Sequence, residues 1–363
     1  MASEANELAV AVKKPQLKKW QRILFILLFI AINVAVIAAT AINEFGDSAN
    51  AAELAEVKIS WWLLIPATLC FAVMILLEFW KYAIMLREMT RPGVFTRREI
   101  WKLSVQTVML GRYYDRITPA SVGGQPFQIY NLTKTGKVPH GAAAAIPIFS
   151  MISGQAMFII IAVPCFLIGS FIINKPALMS LAWVGLAFYA FWPALVTGAA
   201  FFPKPTTRFI KFFAKMLAKL HIVKDREKAL SSIESEVTEY TKSVRRIAKQ
   251  PRVLGSVLVM SLFSNMLMSF IPYFVLKAFG GDMDFMQCFL LTVAVESAVY
   301  FVPTPGNSGA AEGTFYMVFS SLSTGYVFWA MLAWRFFSYY IYIIGGPLVY
   351  LEKHLAKRRH NDY

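Results

Sequence analysis

Long apolar runs, separated by short polar segments, dominate the hydrophobic pattern of this chain. An apolar helix of about 20 residues spans the ~30 Å hydrocarbon core of a bilayer. Six runs of about this length predict six membrane-crossing helices, at residues 23–42, 61–84, 146–173, 178–202, 253–279 and 327–350. We expect Pro164 to interrupt the third run, because proline breaks the hydrogen-bond pattern of a helix. The pattern predicts an all-α, polytopic membrane protein.

Two other apolar stretches are broken by proline and glycine. Within residues 111–136 the breaking residues are Pro119, Gly123, Gly124 and Pro126. Within residues 285–325 the break is at Pro303–Thr304–Pro305–Gly306. We predict a re-entrant or broken helical hairpin at each stretch, since proline and paired glycine stop a helix. Ordinary extramembrane loops are the alternative for both, and two short full crossings are a further alternative for the second.

The flanking charges predict that the first hairpin enters from the cytoplasm and the second from outside. Irregular backbone at membrane depth is tolerated only where it is buried in protein or lines a wet cavity. Two breaks that enter from opposite faces are a feature of transporters with inverted structural repeats. The helix amino termini at such breaks carry partial positive charge, which would suit a lipid phosphate.

Basic residues lie mainly between the apolar runs, and the chain carries a net charge of +15. By the positive-inside rule, this distribution predicts a multi-pass protein of the plasma membrane with both termini in the cytoplasm. We predict a basic tail at residues 1–19, one membrane domain at 20–352 and a second basic tail at 353–363. Residues 204–250 predict two amphipathic helices at the cytoplasmic surface, inserted in that membrane domain.

The overall composition excludes several classes of protein. Hydrophobic residues make up 57% of the chain and charged residues only 16%, so a soluble fold would expose large apolar patches. We expect no nucleic-acid partner, because no soluble basic module with aromatic platforms is present. Each cysteine is isolated in an apolar run and the four histidines have no ligand spacing, so we expect no metal and no cofactor.

Several ionisable residues fall within or beside the apolar runs. Arg335 lies inside the last run, where a charge needs a partner or a cavity, and Glu296 and Glu312 flank the second break. Either a structural Arg335–Glu pair or a polar site for a lipid head group would account for it. Glu78 and Lys81 lie near the end of the second run, where we predict an interfacial pair that snorkels toward water.

Arg112, Asp115 and Arg116 open the first broken stretch. Guanidinium groups match the geometry of a phosphate, so two arginines beside glycine-rich backbone suggest a phosphate site. General attraction to anionic lipid is the alternative interpretation of the same charges.

Three segments of the chain together resemble a known family. The segments are RITPASVGGQPFQIY at residues 116–130, ESAVYFVPTPGNSGAAEG at 296–313, and WRFFSYY around Arg335 followed by Gly345–Gly346–Pro347. Their order and spacing resemble the flippase-like membrane domain of lysylphosphatidylglycerol synthases over nearly the whole chain. One departure is Asn307, where that family often has glycine.

The resemblance implies lipid translocation, as a flippase or scramblase of a phospholipid, an aminoacylated phosphatidylglycerol or another anionic or polyprenyl lipid. In full-length members, a cytoplasmic aminoacyltransferase domain modifies phosphatidylglycerol and the membrane domain moves the product outward. The chain ends at Tyr363, so we expect no synthase domain in it and no enzymatic activity of its own. The predicted head-group or translocation site comprises Arg112, Asp115, Arg116, Thr118, Ser121, Gly123, Gly124, Gln125, Gln128, Tyr130, Glu296, Pro303, Pro305, Gly306, Ser308, Gly309, Glu312 and Arg335.

Two other functions remain open at this point. A lipid-modifying enzyme, such as a phosphatidylglycerol lysyltransferase, would need a nucleophile or an acid–base pair, for which Asp115 is the best candidate. A membrane partner of a separate lipid synthase is the other alternative. The partners that we expect are membrane lipids, together with a second copy of the chain or such a synthase. No nucleotide-binding loop of the G-x-x-x-x-G-K-[ST] type occurs, so we expect downhill or ion-coupled movement.

Overall fold

The computed structural model describes residues 59–118, 123–134, 138–173, 175–201, 208, 238, 241–300, 302, 304–320 and 327–361. The predicted first crossing at 23–42 and most of the 204–250 segment lie outside these ranges. Within them, the regular elements are helices. They are α1 (Leu64–Met89), α2 (Arg97–Ile117), α3 (Gly124–Lys134), α4 (His140–Ile172), α5 (Pro176–Phe201), α6 (Pro251–Ala278), α7 (Phe285–Val299), α8 (Ala310–Phe319), α9 (Val327–Arg335) and α10 (Ile341–Asn361).

Four stretches of continuous helix in the described chain are long and apolar enough to cross a membrane. They are Trp61–Met89, His140–Ile172, Pro251–Ala278 and Val327–Leu351. The first begins with a short 3₁₀ turn before α1, and the last joins α9 to α10 through one π turn, Phe336–Tyr340. Shorter apolar helical segments occur at Pro176–Phe191 and Phe285–Val299. The prediction of an all-α, polytopic membrane protein is confirmed.

The third predicted crossing differs from the expectation in two respects. α4 begins at His140, before the apolar run, and it continues through both Pro147 and Pro164. The expected interruption at Pro164 is therefore wrong. Proline in a helix interior removes one backbone hydrogen bond, and neighbouring helices make this tolerable in a membrane protein. Both α5 and α6 pack against α4.

Local sequence signals explain several helix ends. Thr96 and Glu99 form a reciprocal capping box at the start of α2, in which the Glu99 carboxylate accepts from the Thr96 backbone N–H at 2.7 Å. The hydrogen bonds from the Thr96 backbone and hydroxyl lower the pKa of Glu99. Asp284 caps α7 by accepting from the Gln287 N–H at 3.1 Å. These caps supply partners for N–H groups that have none within the helix.

The two broken stretches each form a pair of helices joined by a break. α3 packs on α2, and α8 packs on α7. At 1.5 Å per residue, α7 and α8 reach about 22 Å and 15 Å, which is short of the ~30 Å needed for a crossing. The geometry therefore favours a hairpin over two full crossings in this region.

The first break is shorter than the sequence suggested. Gly124 begins α3, and Pro126 lies in its first turn. Proline is well tolerated there, because the N–H that it lacks would have no partner within the helix. The prediction that these two residues belong to the break is wrong, because α2 ends at Ile117 and α3 begins at Gly124.

Candidate functional site

A polar cavity of about 500 Å³ lies among the helices, between the two broken segments. Helices α1 to α9 and the π turn contribute to its wall. Its charged lining residues are Glu78, Lys81, Arg112, Asp115, Arg116, Glu296 and Arg335. Charges at this density inside an apolar bundle are costly unless they are paired or hydrated, so they mark a functional region.

The two breaks meet at the cavity, next to Arg335. The Tyr339 hydroxyl donates to the Arg116 carbonyl at 3.4 Å, and Arg335 Nη2 lies 3.5 Å from the Gly306 carbonyl. Gly306 has φ of 58°, and a Cβ there would overlap the Tyr339 ring and reach 3.0 Å from the Arg116 carbonyl. Only glycine fits both the conformation and the space at this point. The first break is thus joined to the second through the helix that carries Arg335.

Arg335 is bound tightly by the second broken segment. Its Nε donates to Glu312 at 2.7 Å, and its Nη2 donates to the Ser308 hydroxyl at 3.2 Å. The side chains of Arg335 and Glu312 are each 3% exposed, and the Tyr339 ring lies 4.5 Å from the guanidinium. The sequence left two carboxylates as candidates, and the structure selects Glu312 over Glu296. Because its donors are used within the protein, Arg335 positions the break of the second segment.

Each helix that restarts after a break has a carboxylate at its amino terminus. The Asp115 carboxylate accepts from the Gly124 N–H at 2.8 Å, and the Glu312 carboxylate accepts from the Gly309 N–H at 2.7 Å. A Cβ at Gly124 would overlap the Asp115 carboxylate. The helix amino termini were expected to face a lipid phosphate. Protein carboxylates therefore take one N–H group at each of these termini, and for the remaining N–H groups the expectation stays a prediction.

Arg112 and Arg116 provide the available cationic donors of the cavity. They are four residues apart on α2, which places them on one face of the helix. Arg112 is 38% exposed at its side chain, and one of its nitrogens contacts Glu78 at 3.3 Å. The buried Arg116 Nε has no hydrogen-bond partner among the described residues. Unlike Arg335, these two arginines retain donor capacity for a guest.

Glu78 and Lys81 do not snorkel toward water, so the interfacial interpretation of this pair is wrong. Lys81 Nζ lies 2.7 Å from Glu78, and the two side chains are 2% and 7% exposed. Lys81 also donates to the Ser261 hydroxyl at 3.3 Å, which lies 3.1 Å from the Ser153 hydroxyl. The pair is part of a buried polar network that joins α1 to α6 and α4.

Glu296 lies on α7 and lines the cavity. It is distant in sequence from the arginines of the cavity. It accepts a hydrogen bond from the Ser269 hydroxyl at 3.1 Å. In the described part of the chain, no lysine or arginine forms an ion pair with it. Glu296 therefore differs from Glu78 and Glu312, which are each paired with a cation.

Several buried polar atoms of the lining have no hydrogen-bond partner within the described parts of the chain. They are Arg116 Nε, Gln155 Oε1, Asn307 Oδ1, Trp334 Nε1 and Ser338 Oγ. A buried polar atom without a partner is costly, so such a cluster indicates that the cavity takes up water or a polar guest. Within the described ranges, no group of three or more His, Cys, Asp or Glu side chains could hold a metal ion.

The other predicted site residues have four different outcomes. Gln125 and Gln128 line the cavity, and Gly306 does so at the second break. Thr118 closes the first break by accepting from the Gly123 N–H at 2.9 Å. Tyr130 is 61% exposed and is not part of the lining, so the structure does not place it at the cavity. Pro305 lies within the second break, while Ser121 and Pro303 lie outside the described residues.

Sequence reasoning missed the polar residues that the crossing helices contribute. Gln155 donates to the Tyr300 hydroxyl at 2.6 Å, and Asn265 donates to the Gly154 carbonyl at 2.8 Å. Ser261 and Ser153 complete the network around Lys81. The available signal was an amide or hydroxyl inside an apolar run, which usually faces the interior of a bundle.

Comparison with known proteins gives one family. The family model described as the lysylphosphatidylglycerol synthase TM region matches residues 22–346. No curated protein and no solved structure matches the chain. The matched range includes both broken segments and Arg335, and it confirms the family resemblance that the sequence suggested.

Proposed function

Since the chain belongs to the lysylphosphatidylglycerol synthase transmembrane-region family, we propose that it moves a phospholipid between the two leaflets of a membrane. The head group occupies the polar cavity, and the acyl tails remain in the surrounding lipid. The observation that carries the proposal is the pair of arginines, Arg112 and Arg116, whose donors open into a cavity bordered by both broken segments.

A lipid phosphate is the head-group moiety that this cavity suits best. Guanidinium groups bind phosphate oxygens through two parallel hydrogen bonds, and Arg112 and Arg116 lie one turn apart. Charge-assisted hydrogen bonds of this kind contribute about 1.5–3 kcal/mol each. Such contacts, together with cavity water, replace the hydration that a phosphate loses when it leaves the membrane surface. The carboxylates on Asp115 and Glu312 keep the helix termini from competing for the phosphate.

The break in each segment supports movement of the head group past the middle of the bundle. A continuous helix exposes only side chains, whereas a break brings backbone groups to the cavity wall. A Cβ built at Gly306, at one break, would reach 3.0 Å from the Arg116 carbonyl beside the other break, so the two breaks lie close together at the cavity edge. A head group that enters from either side would therefore meet polar groups along its route.

The proposal is tested by leaflet exchange in liposomes that contain the purified full chain. Fluorescent phosphatidylglycerol, an aminoacylated phosphatidylglycerol and a polyprenyl phosphate are each followed by quenching of the outer leaflet. We expect the wild-type protein to accelerate exchange of at least one of these lipids without nucleotide. The Arg112→Gln/Arg116→Gln variant should exchange it at least about tenfold more slowly, since a tenfold change corresponds to ~1.4 kcal/mol.

A matched control removes two arginines from the same helix outside the cavity. Arg97 and Arg98 are exposed at the start of α2, so the Arg97→Gln/Arg98→Gln variant should retain wild-type exchange. Equal loss in both double variants would mean that bulk charge, not the cavity, is responsible. Failure of the wild-type protein to accelerate any of the three lipids would refute the proposal. Formation of an aminoacylated lipid when lysyl-tRNA is added to these liposomes would favour an enzyme instead.

A further inference from the structure

Glu78 is shared between two cations of very different exposure. One of its carboxylate oxygens lies 2.7 Å from Lys81 Nζ, and the other lies 3.3 Å from Arg112 Nη2. The Lys81 side chain is 2% exposed, while the Arg112 side chain is 38% exposed toward the cavity. Both cations line the cavity, so the carboxylate has one partner that is almost fully buried and one that is partly exposed.

We propose that Glu78 is an internal counter-ion that holds Arg112 in the absence of a guest and releases it to an anionic phosphate head group. Glu78 and Lys81 would then set how strongly the cavity binds negative charge, which makes them specificity-determining residues. The inference rests on the proposed function, because it assigns the guest a phosphate. It extends that function to residues that do not themselves touch the head group.

Lys81 lowers the free-energy cost of releasing Arg112 from Glu78. A buried carboxylate that loses its partner costs several kcal/mol, because its charge is left uncompensated. Here Lys81 lies 2.7 Å from Glu78, so its ammonium group would still compensate the carboxylate after Arg112 leaves. The Ser261 hydroxyl, 3.3 Å away, fixes the ammonium group, and Ser153 in turn contacts Ser261 at 3.1 Å. The fixed pair is neutral overall, so the departing Arg112 carries a full positive charge to the guest.

The chemistry of the two acceptors makes the exchange plausible at Arg112 rather than at Lys81. A guanidinium binds a carboxylate and a phosphate with the same planar geometry. Arg112 lies beside Arg116, which has a buried nitrogen without a protein partner. A phosphate placed between these two arginines would satisfy that nitrogen and replace Glu78 as the acceptor for Arg112. The 3.3 Å contact between Arg112 and Glu78 is the longer of the two contacts to this carboxylate.

The proposal predicts opposite effects for the two members of one ion pair. Glu78→Gln removes the competitor for Arg112, so binding of an anionic lipid should become tighter, by about tenfold or ~1.4 kcal/mol. Lys81→Gln keeps a polar group near Ser261 but leaves Glu78 dependent on Arg112 alone. Binding should then weaken by a similar factor. A purely structural ion pair would give losses of the same sign in both variants.

The test is equilibrium binding of a phosphatidylglycerol with two eight-carbon tails to the purified full chain in a neutral detergent. The neutral diacylglycerol with the same tails reports the part of binding that does not involve phosphate. A matched control is Glu88→Gln on the same helix, because Glu88 pairs with Arg246 and does not line the cavity. We expect wild-type affinity for that control and unchanged diacylglycerol binding in all variants.

If a single variant does not fold, the Glu78→Gln/Lys81→Gln double variant carries the test, since it leaves no unpaired buried charge at this position. Arg112 is free in that variant, and its binding of phosphatidylglycerol should be tighter than that of the wild type. Weaker or unchanged binding in Glu78→Gln, or in the double variant, would overturn the proposal, as would an absence of saturable binding to the wild type. Opposite shifts in binding, combined with no leaflet exchange by the wild type, would uphold this inference and refute only the transport function.

Discussion

Replacement of Arg335 by methionine should strongly destabilise the protein, because it leaves the Glu312 carboxylate buried without a cation. Glu312 is 3% exposed and would retain only the Gly309 N–H as a donor, while Ser308 would lose its contact with the guanidinium. Removal of one member of a buried ion pair typically costs about 3–5 kcal/mol. We expect a loss of this size in the free energy of unfolding. The backbone of the second broken segment would also lose the contacts with Arg335 that hold it in place.

A double-mutant cycle separates the ion pair from the packing around it. Glu312→Met alone should also destabilise the protein, because it leaves Arg335 charged and the Gly309 N–H without an acceptor. The Arg335→Met/Glu312→Met variant has no unpaired charge, so it should be more stable than either single variant. Replacement of a whole buried pair by apolar side chains is often nearly neutral. Strong coupling between the two substitutions is therefore expected.

The assay is reversible unfolding of the purified protein in mixed micelles, followed by far-ultraviolet circular dichroism as a denaturing detergent is titrated. Arg246→Met is the control, since it removes an ion pair of 3.5 Å whose arginine side chain is 55% exposed. A pair of that kind contributes about 0–1 kcal/mol. Equal stability of Arg335→Met and the wild type, or simple additivity in the cycle, would refute the reasoning.

Three further substitutions, one of them with a matched control, test other parts of the site by the same unfolding assay. Gly306→Ala should lower the free energy of unfolding by about 1–3 kcal/mol, since the added methyl group would overlap the Tyr339 ring and the residue has a positive φ. The control is Gly313→Ala, which has open space around it and should be neutral within ~0.5 kcal/mol. Gly124→Ala should destabilise by a similar 1–3 kcal/mol, because the methyl group would displace the carboxylate that caps α3. Glu296→Gln should leave stability unchanged or raised, because its partner, the Ser269 hydroxyl, is neutral; a loss above ~1 kcal/mol would reveal a cation partner.

The sequence was sufficient for the outline of the fold. Runs of apolar residues located the crossing helices, and the breaks around Gly123 and Gly306 were recognised from proline and glycine alone. The same local signals misplaced the ends of elements. Pro164 does not stop α4, and Pro126 belongs to α3, because the effect of a proline depends on its position in the helix and on its neighbours.

The candidate site was harder to predict, because it depends on which helices come together. A charged residue in an apolar run signals an interior position, and Arg335 was identified in this way. The sequence could not show that Arg335 pairs with Glu312 and not with Glu296, because both carboxylates flank the same break. The three-dimensional arrangement of the helices decides it. Contacts between distant segments, such as that of Lys81 with Ser261, leave no mark in the local pattern.

The sequence also did not predict that carboxylates cap the two helices that follow the breaks, Asp115 at α3 and Glu312 at α8. Asp115 precedes Gly124 by nine residues, and the break between them hides the contact. The same inference from helix dipoles that suggested a phosphate applies equally to a side-chain carboxylate. The structure shows that Asp115 and Glu312 take these positions and that Arg112 and Arg116 line the cavity.

A structure of the full chain in lipid nanodiscs rich in phosphatidylglycerol would test the central claim most directly. The account predicts a lipid head group inside the polar cavity, with a phosphate oxygen within about 3 Å of the Arg112 or Arg116 guanidinium. It also predicts acyl chains that leave the cavity toward the surrounding bilayer. Lipids bound only on the outer surface of the bundle, with water or side chains filling the cavity, would contradict it.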